Sequence, residues 1–145
     1  MSHRLSSGVL TWLHMYRITQ KILRRLSAHF DQHGLTPAQF NVLVQLQQTP
    51  SISQQQLTDR LFVTKGNIVG ILDRMEQCGL VKRQGHPQDG RTHMLYLTEC
   101  GGELAARVVP EHEALVDACI GLISTDDQRI LHETLRTLNH ALGAD

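Results

Sequence analysis

Apolar residues recur at helical spacing along most of this chain, and short polar breaks separate the runs. Within residues 7–32, four apolar side chains recur every fourth residue: Ile18, Ile22, Leu26 and Phe30. This spacing predicts one long helix with an apolar stripe, ended by Gly34 in a left-handed conformation. A second helix is predicted to open at residues 36–39 (TPAQ), where Thr36 is the cap, Pro37 lies in the first turn and Gln39 completes a capping box. It is predicted to end at residues 49–50.

The segment from residue 52 to residue 97 carries three signals in one order. Ser53, with Gln56 three residues on, predicts a short helix over residues 54–61. Thr64 begins a second helix over residues 65–78, which Gly79 ends. Two strand-like pieces, LVKR and THMLYL, then flank the polar tip QGHPQDG. Two short helices across a tight turn, followed by a hairpin, are typical of a winged helix-turn-helix.

The C-terminal third again has helical spacing. Thr98 is expected to cap a long helix that begins near Glu99, and a last helix is expected to start at Thr125 with Gln128 as its capping partner. In that last helix, four leucines form a coiled-coil-like seam: Leu131, Leu135, Leu138 and Leu142. Apolar stripes without a partner in a small domain predict a homodimer, although these helices could instead pack on one another.

We therefore predict a mainly α fold with a small β-hairpin (α+β) in a single domain, residues 1–145. Residues 36–98 would form the winged helix-turn-helix DNA-binding lobe. Residues 1–35 and 99–145 would form a helical dimerisation domain.

Composition narrows the class of protein. Hydrophobic residues make up 41% and charged residues 19% of the 145 positions, as in an ordinary globular domain. No apolar run approaches the roughly 20 residues of a membrane span, and the N-terminus lacks the features of a signal peptide, so we expect a cytoplasmic protein without a membrane partner. The three cysteines, Cys78, Cys100 and Cys119, form no CxxC pair, and we expect them to be structural.

The net charge of zero hides an uneven distribution. Residues 1–52 carry five Lys/Arg and one Asp, which gives +4, and residues 53–93 carry six and four, which gives +2. Residues 94–145 carry three Arg and nine acids, which gives −6. A nucleic-acid-binding protein needs a positive face rather than a positive total, so the acidic C-terminal third is the part least suited to phosphate.

The second helix of the pair is the candidate recognition helix. Its N-terminal face would meet base edges through Thr64, Lys65, Asn67 and Gly70, because Lys can donate to guanine and Asn can bind adenine through two hydrogen bonds. Arg74, further along, would contact a phosphate or a neighbouring carboxylate. The start of the preceding helix would contact phosphates through three residues: Ser53, Gln54 and Gln55.

The hairpin tip is the second candidate contact. Asp89 and Gly90 are expected to form a tight turn, and Arg91 follows where a strand begins. An arginine held by a nearby aspartate can enter a minor groove, and His86 in the same tip can add positive charge.

These motifs together resemble the MarR family of transcriptional regulators. The resemblance covers nearly the whole chain and rests on LTPAQFNVL, on SQQQLTDRLFVTKGNIVGILDRMEQCGLVKR and on DGRTHMLYLTECG. It implies a homodimer that represses promoters by binding a palindromic operator and lets go when a small ligand or oxidant arrives. It also implies a wing arginine, matching Arg91, that is positioned by an acid, matching Asp89. The first helix has no cysteine, which argues against the peroxide-sensing branch.

Effector recognition is a separate question. Members of the family bind aromatic acids between the dimer helices and the DNA-binding lobe, and five residues here suit an aromatic or phenolic carboxylate: Trp12, Met15, Tyr16, Arg17 and Phe40. Packing in the core or the dimer is the alternative for each of them. No cofactor is expected.

Two other classes of function remain open. His29 and His33 stand four residues apart and could face one zinc ion, with a third ligand from Glu111, His112 or Glu113, as in a metal-responsive regulator. The fold could also serve as a protein-interaction module without specific DNA binding. An enzyme is not expected, because the chain has no GxSxG, HExxH or P-loop pattern.

Overall fold

The computed structural model describes residues 5–61, 63–86 and 88–143. Within these residues, six helices and three strands follow one another: α1 (Ser7–Gln32), α2 (Pro37–Gln48), β1 (Ile52–Ser53), α3 (Gln54–Leu61), α4 (Lys65–Gln77), β2 (Val81–His86), β3 (Asp89–Leu97), α5 (Glu99–Ile120) and α6 (Thr125–Ala141). The predicted mainly α fold with a winged helix-turn-helix is confirmed. In the described part of the chain, no helix combines the length and the hydropathy needed to cross a bilayer.

Capping side chains account for where the helices begin. Thr36 Oγ1 accepts from the Gln39 backbone N–H (3.2 Å), and Gln39 Oε1 accepts from the Thr36 backbone N–H (2.8 Å), so the predicted capping box of α2 is confirmed. At the other ends, Gly34 has φ +63° and Gly79 has φ +69°, as predicted for residues that stop α1 and α4.

Two local predictions need correction. The first residue of α6 is Thr125, as expected, but the cap is Ser124, whose Oγ accepts from the Asp127 backbone N–H (3.2 Å). Gln128 instead donates through Nε2 to the Ile123 carbonyl (3.0 Å). Both Ser124 and Thr125 precede a polar residue at the correct distance, and the negative side chain of Asp127 in the first turn also suits the helix dipole.

The sheet has a third strand that the sequence pattern did not predict. β3 lies in the centre and pairs antiparallel with β2 on one side and with β1 on the other, where Ile52 faces Leu95. β1 has only two residues, so it carries no alternation of its own. Because α3 follows β1 directly, the pairing of β1 with β3 fixes the start of α3 beside the hairpin.

The core lies among α2, α3, α4, the sheet and the inner halves of α1 and α5. Its members are at most 6% exposed: Leu26, Phe30, Leu35, Phe40, Val42, Leu43, Leu46, Ile52, Leu57, Ile68, Leu72, Met75, Val81, Leu95, Ala105 and Val108. Of the α1 stripe, Leu26 and Phe30 are buried but Ile18 is 51% exposed. The single chain therefore covers only the C-terminal part of α1.

The junction between the hairpin and α5 is unusually close. A Cβ on Gly101 would lie 1.9 Å from the Leu80 carbonyl oxygen, which only glycine avoids. Thr98 fixes the same junction: its Oγ1 accepts from the Gly101 backbone N–H (3.0 Å) and donates to the Gly79 carbonyl (2.5 Å). The Leu-Thr-x-x-Gly pattern thus joins the wing to α5.

Gly101→Ala is expected to destabilise the protein by about 1–3 kcal/mol, because the added methyl forces α5 away from Leu80. Gly102→Ala is the matched control, since a Cβ there meets nothing within 4 Å and should stabilise the helix by up to about 1 kcal/mol. Urea unfolding of both variants measures the difference. Equal stability of the two would show that the close approach imposes no constraint.

Candidate nucleic-acid interface

α4 is held by one face and exposed on the other. Ile68, Leu72 and Met75 are fully buried against the core. Thr64 caps the helix by accepting from the Asn67 backbone N–H (3.3 Å). Lys65 and Asn67 are exposed in this first turn, so their donors and acceptors face outward. A helix N-terminus with exposed polar side chains and a buried opposite face is the arrangement that enters a major groove.

The glycines of α4 lie on this outer side. A Cβ on Gly66 would meet nothing within 4 Å, and one on Gly70 would meet only Arg74 Nη2, at 3.9 Å. Neither glycine is therefore required by packing within the described chain. Arg74 is exposed and folds back along the helix, where its Nε donates to the Gly70 carbonyl (3.2 Å) rather than to a neighbouring carboxylate.

Beside α4, the start of α3 forms the second side of a groove. Ser53 Oγ accepts from the Gln56 backbone N–H (3.1 Å), and Gln56 Oε1 accepts from the Ser53 backbone N–H (3.0 Å), so Ser53 caps α3 from within β1. Gln54 is half-buried, and the exposed Gln55 donates through Nε2 to Asp59 (2.8 Å). Polar side chains thus stand at the end of α3 that faces the groove.

The groove also includes three residues that were not predicted from the sequence: Val69, Thr92 and His93. They line it together with Lys65 and the first turn of α3. Val69 is 41% exposed although it is apolar, and His93 is exposed on β3. An apolar residue on the outward face of α4 was a signal that could have been noticed, because such a side chain can contact a thymine methyl group.

At the hairpin tip, the predicted turn at Asp89 and Gly90 is wrong. β3 already begins at Asp89, which pairs with His86, so the chain reverses before Asp89 rather than after it. The pairing of β2 with β3 shifts between Gly85 and His86: Gly85 pairs with His93, but His86 pairs with Asp89. Because of this shift, Asp89 already belongs to β3 and does not form the turn.

Part of the predicted wing contact falls outside the described residues. The backbones of His86 and Arg91 lie in β2 and β3, but their side chains are outside the described part of the structure. Asp89 is described, and its Oδ2 accepts a hydrogen bond from the Thr92 hydroxyl (2.8 Å). The pairing of Asp89 with Arg91 stays a prediction.

Arg83 anchors the hairpin to α4, a role that the sequence did not reveal. Its Nη1 donates to Asp73 (2.7 Å) and to Glu76 (2.8 Å), and its backbone N–H donates to the other oxygen of Glu76 (3.1 Å). Its Nη2 reaches the Val69 carbonyl (3.4 Å). Because the Arg83 side chain is only 18% exposed, these charge-assisted bonds are less screened than surface pairs. They set the position of β2 relative to the recognition helix.

The candidate effector residues do not form one site within a single chain. Trp12 and Tyr16 are 59% and 52% exposed on α1, with ring centroids 6.2 Å apart, next to a half-buried Met15 and an exposed Arg17. Phe40 is buried and its ring lies 5.1 Å from Phe30. Eighteen residues of helix separate Trp12 from Phe30, roughly 27 Å.

The histidines considered as metal ligands do come together. Ligand atoms of His29, His33 and Glu111 all lie within 4.8 Å of one another, and exposed Glu113 is outside this group. His112 packs instead against Phe40, with ring centroids 4.3 Å apart. Burial lowers the pKa of His112 and the nearby His29 lowers it further, whereas Glu113 acts in the opposite direction.

Taken together, α3, α4 and the hairpin define a winged helix-turn-helix of the kind that binds DNA. Comparison with known proteins agrees. The MarR family profile matches residues 33–92. An uncharacterised HTH-type transcriptional regulator of Bacillus cereus is 31% identical over 129 residues, which cover 88% of this chain and 86% of that protein.

Two solved structures extend the comparison. A MarR variant from E. coli complexed with operator DNA superposes with a TM-score of 0.79 at 25% identity and covers 91% of this chain and 94% of that one. NadR in complex with 4-hydroxyphenylacetate superposes with a TM-score of 0.73 at 22% identity and covers 95% of each chain. The chain belongs to the MarR family, and it is a DNA-binding transcriptional regulator.

Arg83→Ala is expected to lower the free energy of unfolding by about 1–2 kcal/mol, because two carboxylates lose their partner and a backbone contact is weakened. Arg129→Ala is the matched control: Arg129 and Glu133 are 62% and 57% exposed, at 3.5 Å, and such pairs contribute about 0.5 kcal/mol or less. Chemical unfolding measures both. Losses of the same size would mean that Arg83 is an ordinary surface residue.

Proposed function

We propose that this regulator is a homodimeric repressor, that each subunit inserts α4 into one half-site of a palindromic operator, and that a small aromatic ligand releases the complex. The observation that carries the proposal is the two-sided character of α4: one face is fully buried and the polar N-terminal face is exposed. The operator complex of the similar MarR variant supports the same use of the fold.

The proposed division of roles follows from position. Thr64, Lys65 and Asn67 read base edges, with Gly70 allowing close approach of the DNA, and Arg74 contacts the backbone beyond them. Phosphates lie against the first turn of α3, which offers hydroxyl and amide groups: Ser53, Gln54 and Gln55. The wing adds a minor-groove contact through Arg91, which Asp89 positions, and His86 adds positive charge at the same tip.

A second copy of the chain is the proposed partner of the apolar helical face. Each leucine of the α6 seam is at least 40% exposed, and within the described residues α6 has no buried side chain. Between α1, α5 and α6 lies an open groove of about 340 Å³, whose lining includes Ile18, Ile22 and Leu131. Pairing of residues 1–35 and 99–145 with the same face of a second copy would bury these groups, and two-fold symmetry suits a palindromic operator.

The proposed effector is a small aromatic or phenolic carboxylate. NadR, whose fold is similar, binds 4-hydroxyphenylacetate. Trp12, Tyr16 and Arg17 offer two rings and a positive charge, and a second subunit would have to supply the rest of the pocket, because Phe40 is buried in the core of its own chain. Because Trp12 is the only tryptophan, its fluorescence reports on this site. Titration with 4-hydroxyphenylacetate and related acids should quench this fluorescence and release the operator. If none of these acids did either, the proposed aromatic effector would be contradicted.

Asn67→Ala is expected to cost about 1–3 kcal/mol of discrimination at one base pair of each half-site, because a bidentate contact is lost. Lys65→Ala and Arg91→Ala should weaken specific binding, and Arg74→Ala, which removes a contact to the DNA backbone, should reduce the salt slope by about 1. Fluorescence anisotropy with operator duplexes at several salt concentrations measures these effects.

The matched control for the DNA variants is Arg129→Ala, which removes a positive charge on α6, outside the winged lobe. Binding equal to that of the unchanged protein is expected for the control. If Asn67→Ala bound the operator with the same affinity and sequence discrimination as Arg129→Ala, α4 would not be the recognition helix.

Deletion from Asp126 onward is expected to yield a folded monomer, because α6 contributes no buried side chain to the described fold. The double variant Leu135→Glu/Leu138→Glu should have the same effect while keeping the helix. Sedimentation equilibrium measures the mass, and Arg129→Ala, on the opposite side of α6 from the leucines, should stay dimeric. A stable dimer in both altered proteins would refute the proposed interface.

A further inference from the structure

We propose that His29, His33 and Glu111 form a binding site for a divalent transition-metal ion, and that zinc suits this donor set well. His29 lies in the last turn of α1, His33 is the C-cap residue that follows this helix, and Glu111 reaches them from α5. One ligand atom from each lies within 4.8 Å of the other two. Two imidazoles and a carboxylate are a common set of protein ligands for zinc, with water in the fourth position.

The hydrogen bond that His29 makes through Nε2 leaves its other ring nitrogen, Nδ1, available to bind a metal ion. His29 Nε2 lies 3.3 Å from the Val108 carbonyl oxygen, which can only accept, so Nε2 carries the proton. Nδ1 then has a lone pair, and it lies 3.7 Å from Glu111 Oε2. A metal-bound histidine typically donates its other ring N–H to a carbonyl in this way, which fixes the orientation of the ring. His29 is 7% exposed, so the surrounding core also holds it.

The distances leave room for an ion after small movements. His33 Nε2 lies 2.8 Å from Glu111 Oε2. Two donors on one tetrahedral zinc ion, at about 2.0–2.1 Å each, are roughly 3.3 Å apart, a value between the 2.8 Å and 3.7 Å separations here. Without metal, a proton on His33 Nε2 can bridge this nitrogen and the carboxylate. Metal binding through Nε2 would require that this proton be released to solvent while the ring keeps a proton on Nδ1, so that His33 and Glu111 could both bind the ion.

The partial exposure of the proposed site allows an ion to reach it from solvent. His33 and Glu111 have side chains that are 15% and 48% exposed, so an ion and a water can enter from solvent while His29 forms the inner wall. A bound ion would link the last turns of α1 to α5. Because the unfolded chain lacks this arrangement of ligands, binding should stabilise the folded protein. Metal binding measured without DNA is independent of the proposed function.

The test uses the full chain, freed of metal with a chelator. Zn²⁺ affinity is measured by competition with a chromophoric chelator, and Co²⁺ absorption reports the ligands. One ion per chain is expected, with a higher melting temperature when zinc is bound. His33→Ala and Glu111→Gln should each weaken Zn²⁺ binding about tenfold or more, and circular dichroism should show both variants folded.

His140→Ala is the matched control, because His140 is an exposed histidine on α6 away from these ligands. Its Zn²⁺ affinity should equal that of the unchanged protein. The proposal would be overturned by the absence of stoichiometric binding, by unchanged affinity in His33→Ala and Glu111→Gln, or by loss of the ion in His140→Ala. Thiolate-to-cobalt charge transfer would assign the ion to cysteine and overturn it as well.

Discussion

The burial of one face of α4 determines what the rest of the molecule can present. Ile68, Leu72 and Met75 are fully buried, so the helix cannot rotate about its axis without exposing a large apolar surface. That constraint directs Lys65 and Asn67 outward and makes the helix N-terminus accessible. A recognition surface needs this fixed orientation, because contacts to base edges depend on side-chain placement within a hydrogen bond's length.

The wing depends on α4 through a small number of polar contacts. Arg83 joins β2 to two carboxylates on α4, and Thr98 with Gly101 joins the other end of the hairpin to α5. Movement of α5 relative to the lobe would therefore be transmitted directly to the hairpin and from there to the recognition helix. This connection offers a physical route by which ligand binding among the helices could alter the DNA-binding surface.

Local chemistry explains why so much of the fold was predictable. The hydroxyl caps of α2, α3 and α4 and the left-handed glycines Gly34 and Gly79 depend on residues within one turn, so the sequence reveals them directly. The features that were missed depend on distant residues. β1 exists only because Ile52 meets Leu95, and the tip reverses early because of an irregularity in pairing. Likewise, Phe40 is separated from Trp12 by the packing of α2 near the end of α1.

The central claim is that two copies of this chain read DNA sequence through α4 and the wing. Selection from a pool of short random duplexes, with sequencing of the bound fraction at two salt concentrations, tests it most directly. We expect enrichment of a palindrome with half-sites about one helical turn apart, retained at the higher salt. Weak binding that shows no preferred sequence and falls steeply with salt would contradict it, because such binding reflects phosphate contacts alone.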